Sequence, residues 1–256
     1  MNNYTPDYIR KELFLSDIPV KTKFGVAHGG KGSSAELARQ TARALLRGEV
    51  EKVIFAGGVK VFDPLTLTGI FASHSAYFTQ EGLKTGFKRA VEFLSPKKEA
   101  VLMADIAMQE GVRAKDIIIE GNGRPTSRHT GQNVDFLISQ TDGVAQDIVQ
   151  EGAIKVFGLA YNTRRACSVW ERKLNRDRDG SVIIVPRSFY PYGFTPENWH
   201  LSNDIRERIV YPEMAKIDPN NPSSHLYTTN DVVHYDPESH RERALKALPK
   251  INIEGP

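Results

Sequence analysis

Two acids and a pair of arginines in this chain stand where α/β proteins place their chemistry. Glu120 closes the apolar run Ile117 to Ile119, a Gly- and Arg-rich loop follows, and Thr130 with Asn133 then opens a helical pattern. A strand that delivers a carboxylate, then a polar loop, to a helix start is a layout for ligand sites. Glu99 falls in the first turn of a predicted helix, where the macrodipole by itself favours a carboxylate. If the two acids face each other, they can bind sugar hydroxyls, hold a divalent metal such as magnesium, or share general acid–base work. Asp105 points to a different helix face and reads as structural.

Arg164 and Arg165 follow Tyr161 at the start of another predicted helix, where positive charge opposes the macrodipole. An anionic ligand, a phosphate or a carboxylate, explains that placement. Arg124 and Arg128, in the loop before Thr130, exceed what a helix cap needs, although Thr130 and Asn133 alone fit a cap and its neighbours.

Glycine loops end the first two predicted strands, at His28-Gly29-Gly30-Lys31-Gly32-Ser33 and at Gly57-Gly58. Gly25, Gly30 and Lys31 match the spacing of a nucleoside-triphosphate loop, but Gly32 replaces the magnesium-binding hydroxyl and Gly25 lies inside the strand. The weaker reading stands: backbone N–H groups over 29–34 can hold an anion or a ribose, or the loop is a plain strand-to-helix turn. HGGKG also resembles an esterase oxyanion loop, yet no G-x-S-x-G elbow is present. Ala27-His28 and Ala56-Gly57-Gly58 stand where common methyltransferase and NAD sites need acids. The seven histidines show no zinc-ligand spacing. His28 and His129 fall in the same loops and are candidate proton carriers. Cys167 reads as core.

These residues need strand ends to hold them. Apolar runs predict strands at 21–27, 52–56, 115–120, 154–160 and 181–186. Helical spacing predicts helices from Ser33 or Ser34 to Gly48, from Ser95-Pro96 to Gly111, and over about 130–141 and 163–174. Further helices are predicted near 203–216 and 237–248. Residues 1–20 read as a short amphipathic arm packed on the domain, and 59–95 as a long insertion that can form a flap. Alternating strands and helices with near-continuous apolar strands imply an α/β fold with a mostly parallel sheet covered on both faces. The expectation is one domain over 1–256, with a core at about 21–190 and a helical, irregular C-terminal extension over about 191–256.

Composition sets the outer limits. At 256 residues, 40% hydrophobic and 25% charged, the chain is long enough for a substantial core. A net charge of +3 argues against nucleic-acid or membrane-surface partners. No stretch approaches the roughly 20 apolar residues of a membrane span, and the first 20 residues lack a signal-peptide core. One cysteine excludes an internal disulfide. The expected location is the cytoplasm.

Several of these stretches resemble the ElyC/SanA/YdcF family, a bacterial family built on a domain of undefined chemistry. They are strand-Gly-Gly at 53–58, Glu99-Ala100 with Ala104-Asp105-Ile106-Ala107, Ile118-x-Glu120, Thr130-x-x-Asn133 and Tyr161-x-x-Arg164-Arg165. They come in family order over about 21–190, and DVVHYDP at 231–237 is similar to the soluble YdcF branch. The resemblance implies a Rossmann-like three-layer fold with a pocket at the strand carboxyl ends. It also implies an association with S-adenosylmethionine. The first loop, Ala27-His28-Gly29-Gly30, departs from the plainer Leu-Gly form of the family, and the loop after Glu120 is longer and more basic. The resulting expectation is a hydrolase or transferase acting on a phosphorylated or nucleotide-like small molecule. Glu99 and Glu120 would be its catalytic acids, the 29–34 loop and Arg164 and Arg165 its anion holders, and Thr130 and Asn133 its orienting groups. The alternative is a sensor or carrier that binds S-adenosylmethionine or a nucleotide without turnover.

Overall fold

The structure is a computed structural model that describes residues 4–29, 34–58, 98–127, 129–175, 181–190, 195–218 and 235–252. The 59–95 insertion, Ser95-Pro96, Gly30, Lys31, Ser33, Arg128 and most of the 231–237 motif lie outside them. Its centre is a five-stranded, all-parallel sheet flanked by helices, in the strand order β3-β2-β1-β4-β5. The strands are β1 (Thr22–His28), β2 (Val50–Ala56), β3 (Ile117–Ile119), β4 (Ala153–Leu159) and β5 (Ile183–Phe189). This is a Rossmann-like α/β architecture, in which ligands bind outside the carboxyl ends of the strands. β4 and β5 are buried along their whole length, as a sheet covered on both faces requires. Among the described residues no helix is long and apolar enough to cross a membrane.

The chain divides into two compact units, one of Lys23–Gln150 and one of Met1–Thr22 with Glu151–Pro256. In the first, α2 (Ser34–Leu46) buries Leu37, Ala38, Thr41 and Ala42 along one face. Leu46, at the end of the helix, is exposed. Gly48 ends the helix with a positive φ of 78°. Helix α3 (Glu99–Gln109) starts later than Ser95-Pro96 predicts, because Lys98 is still extended and serves as its N-cap. It buries Ala100, Leu102, Met103, Ile106 and Ala107 and packs on α2.

Strand β3 is shorter than predicted and pairs in parallel with β2 through Val53–Ile117, Ile54–Ile118 and Phe55–Ile119. It stops because the chain turns sharply at Glu120–Gly123, where Gly121 and Asn122 adopt left-handed conformations (φ 62° and 52°). The turn is tied to residues just beyond α4 (Thr130–Gln140). Asn122 Nδ2 donates to Asp142 Oδ2 at 2.9 Å, and Gly121 N to Thr141 Oγ1 at 3.1 Å. Helix α5 (Val144–Glu151) follows, anchored by buried Val144 and Ile148, which the sequence reading passed over.

In the second unit, α1 (Pro6–Leu13) is capped by Thr5 and buries Ile9 and Leu13 against Trp199, Val210 and Met214. Helix α6 (Thr163–Asn175) follows β4. The segment after β5 carries a short helical stretch at Asn203–Ile205, a π-turn at Arg206–Val210, and α7 (Tyr211–Ile217). Helix α8 (Pro237–Ala247) begins at Asp236, whose carboxylate caps the N–H groups of Glu238 and Ser239. Its buried His240 accepts from Ile184 N at 2.9 Å through Nδ1, so Nε2 carries the proton toward Glu171 Oε2 at 2.9 Å. β5 runs past Pro186, which was expected to end it. As a strand at the sheet edge it tolerates a residue without an N–H.

Candidate functional site

The carboxyl ends of β1, β2 and β3 lie in one unit and bring six of the predicted residues together: His28, Gly29, Gly57, Gly58, Glu99 and Glu120. The arrangement starts from glycine. Gly29 N donates to Ala56 O at 2.6 Å, and Ala100 N donates to Gly57 O at 2.9 Å, so the ends of β1 and β2 meet the first turn of α3. Glu99, only 6% exposed, fits against both glycines. Its Oε2 lies 2.5 Å from where a Cβ on Gly29 would be, and 3.2 Å from the corresponding point on Gly57. Gly57 has φ 150°, a conformation that L side chains rarely adopt. Ser34, the first residue of α2, donates its hydroxyl to Glu99 Oε1 at 3.2 Å. Glu99 therefore stands at the start of its own helix with the first residue of α2 bonded to its carboxylate, a placement both helix dipoles favour.

Glu120 is built differently. It is fully buried, and both oxygens accept two hydrogen bonds. Oε1 takes Thr126 N and Ser127 N, each at 3.0 Å; Oε2 takes Gly57 N at 3.0 Å and the Ser127 hydroxyl at 2.6 Å. Four bonds match the acceptor capacity of a carboxylate and offset the cost of burying its charge. Glu120 thus clasps the end of β3 to the end of β2 and to the 124–127 loop. The same loop is pinned again by Gly58, whose N–H faces Ser127 O at 3.0 Å and Ser127 Oγ at 3.1 Å. A Cβ on Gly58 would meet Thr126 and Ser127 backbone atoms at 2.3–2.5 Å, so only glycine fits there. Lys98 Nζ donates to Pro125 O and closes the loop from the other side.

The helix after the loop delivers Asn133, 3% exposed. Asn133 Nδ2 lies 3.3 Å from His28 Nδ1. An amide nitrogen only donates, so His28 Nδ1 accepts and Nε2 carries the proton. His28 is 7% exposed at the last position of β1. Thr130 is the first residue of α4, and His129 rather than Thr130 is its N-cap, accepting from Gln132 N at 3.3 Å through Nδ1.

Tyr161, Arg164 and Arg165 belong to the other unit. There Arg164 Nη2 pairs with Glu12 Oε2 at 3.2 Å, and Arg165 Nε with Glu213 Oε2 at 3.0 Å. Two carboxylates of the same chain thus offset the unfavourable placement of these arginines at a helix start. Among the described residues no three His, Cys, Asp or Glu side chains gather into a metal-binding cluster.

Two roles in the site escaped the sequence reading. Ser127 gives Glu120 two of its four bonds, and nothing distinguishes a serine in a polar loop from its neighbours. Ser34 was read as a possible cap and as the end of the 29–34 anion loop; that its hydroxyl serves Glu99 was not foreseen. Comparison of the chain with protein-family models, curated proteins and solved structures finds no match.

Proposed function

We propose that the chain is an enzyme, a hydrolase or transferase, acting on a phosphorylated or nucleotide-like small molecule at the carboxyl ends of β1–β3. The observation that carries this reading is the placement of Glu99. A buried carboxylate fills the space left by two glycines at the ends of β1 and β2, in the same cluster of strand ends as a histidine oriented by an asparagine. In this reading Glu99 positions a water or substrate hydroxyl and accepts its proton as that oxygen bonds to the phosphoryl centre; the leaving oxygen departs with its electron pair, stabilised by a hydrogen bond from His28 Nε2–H, which keeps its proton. The N-terminus of α2 favours the negative charge of the substrate. Glu120 contacts no substrate; it positions the loop and Gly57. The resemblance to the ElyC/SanA/YdcF family supports a ligand at these strand ends.

A second reading is a non-catalytic sensor or carrier for a nucleotide or S-adenosylmethionine. The saturation of Glu120 favours it, because that acid has no acceptor capacity left for general-base work. Thermal-shift screening separates the readings, with a panel of sugar phosphates, adenine nucleotides, nucleotide sugars and S-adenosylmethionine, with and without magnesium. Each ligand that raises the melting temperature is then incubated with wild type and Glu99→Gln. The enzymatic reading expects product in the wild type, none in the variant, and affinities within a few-fold. A ligand returned unchanged by the wild type supports the sensor. Equal turnover in Glu99→Gln removes the role given to Glu99.

A further inference from the structure

A cavity of about 350 Å³ opens within the unit formed by Met1–Thr22 and Glu151–Pro256, and none of its lining residues belongs to the site above. Phe14, Ile18, Pro186 and the ring of Tyr190 give it an apolar lining; the first two are buried side chains. Charged residues complete it. Arg10 is already occupied, donating to Asp7 Oδ1 at 3.2 Å and to Pro196 O at 3.3 Å. Lys11, Arg241, Glu197 and Glu238 differ: their side chains form no hydrogen bond or ion pair with one another or with any other described residue, and Lys11, Glu197 and Glu238 are exposed.

Two cations and two anions line the open rim of one small cavity, part apolar and part polar, without pairing, and so describe a specific complement. A simple anion would gain Lys11 and Arg241 but meet Glu197 and Glu238, and a simple cation would meet the reverse. A molecule that carries both charges on an apolar body satisfies all four. The volume is at the small end of the roughly 300–1,000 Å³ typical of ligand sites, which suits a single small metabolite better than a nucleotide. Burial, and then the charges of Asp17 and Glu197, push the Tyr190 hydroxyl up to about 12, so at neutral pH it remains a donor.

We propose that this cavity binds a free α-amino acid with an aromatic or large aliphatic side chain. Its carboxylate sits at Lys11 and Arg241, its ammonium at Glu197 and Glu238, and its side chain against Phe14 and Tyr190. The readout is binding at this cavity, so the proposal stands apart from any turnover at Glu99.

The test is saturation-transfer NMR and calorimetry on the full chain with L-phenylalanine and L-leucine. Phenylacetate and phenethylamine, each lacking one charge, serve as controls. The expected result is saturable millimolar binding of the amino acids and at least roughly threefold weaker binding of both controls. Arg241→Ser and Glu238→Gln, both at the protein surface, should each weaken phenylalanine binding roughly three- to tenfold. The controls act on the wild type, so the test does not depend on the folding of any variant. Absence of saturable amino-acid binding at tens of millimolar overturns the proposal. Controls that bind as tightly as phenylalanine also overturn it, as does undiminished binding in a Lys11→Ser, Arg241→Ser double variant.

Discussion

Gly29 and Glu99 share one small volume: the Glu99 Oε2 lies 2.5 Å, and its Cβ 2.8 Å, from where a side chain on residue 29 would begin. The acid reaches the end of β1 only because residue 29 has no side chain. The glycine that reads as a turn residue in the sequence is therefore also the seat of the carboxylate.

Gly29→Ala should push Glu99 off that seat. Overpacking of this kind costs about 1–3 kcal/mol, and turnover should fall with it. Glu99→Gly in the same chain, which removes the Cβ as well as the carboxylate, should restore much of the lost packing but none of the activity. Urea denaturation of the two single variants and the double variant measures this as a coupling energy. Simple additivity would show that the two residues do not compete for space.

Glu120→Gln keeps the shape of the side chain and removes the charge. In either orientation its amide nitrogen must face a backbone N–H, of Gly57 on one side or of Thr126 and Ser127 on the other. Losing a charge-assisted acceptor and opposing two donors should cost roughly 2–4 kcal/mol. Chemical denaturation checks it. An unchanged midpoint combined with lost turnover would return Glu120 to the list of catalytic acids.

Alkaline stability should carry a signature of Tyr190. Burial, followed by the charges of Asp17 and Glu197, raises its hydroxyl from 10.0 to about 12 in the folded state. The folded chain therefore holds a proton that the unfolded chain has released. The associated stability is fully present below pH 10 and is lost as the pH rises through about 12. After discounting for partial exposure, the effect is on the order of 1 kcal/mol. Tyr190→Phe should decline less than the wild type across this window in urea titrations at fixed pH, and parallel curves would count against the assignment.

Cys167 is fully buried, and desolvation pushes its thiol well above the ordinary range. It should resist alkylation by iodoacetamide at neutral pH in the folded protein and react once the chain is unfolded. Labelling followed by mass spectrometry along a urea gradient should track the unfolding transition. Rapid labelling without denaturant would show that this helix opens locally.

The parts legible in the sequence were those governed by local pattern. Apolar runs stopped by glycine place β1 and β2 to within two residues, and Thr130 to Asn133 marks the start of α4 to the residue. Other features depend on contacts that lie outside the local pattern. Pro186 signals the end of a strand unless the strand is at a sheet edge, which depends on the order of all five. Ser95-Pro96 is a good helix opening, yet Lys98 is extended and places Glu99 first in α3. Arg164 and Arg165 look stranded until Glu12 and Glu213 are seen beside them, 152 and 48 residues away in the chain. Glu120 stood out as an acid at a strand end, which is equally the signature of a base and of a clasp. Only the count of its donors separates the two.

The contacts that anchor residues 14–22 have a consequence for synthesis. Asp17 pairs with Arg187 and accepts from Ser188 N at 2.6 Å, Val20 O accepts from Lys155 at 2.7 Å, and Val20 bridges Lys250. Each partner is translated more than 130 residues later. At roughly 5–20 residues per second, Asp17 waits about ten to thirty seconds for Arg187 to be made. The Lys23–Gln150 unit is made in full before Arg187, so it can complete its strands and close Glu120 around its loop first. A segment made before the Lys23–Gln150 unit thus finds its place after it, and a ribosome-tethered chain halted before Arg187 would carry Phe14, Leu15 and Ile18 as an uncovered apolar stretch for chaperones to hold.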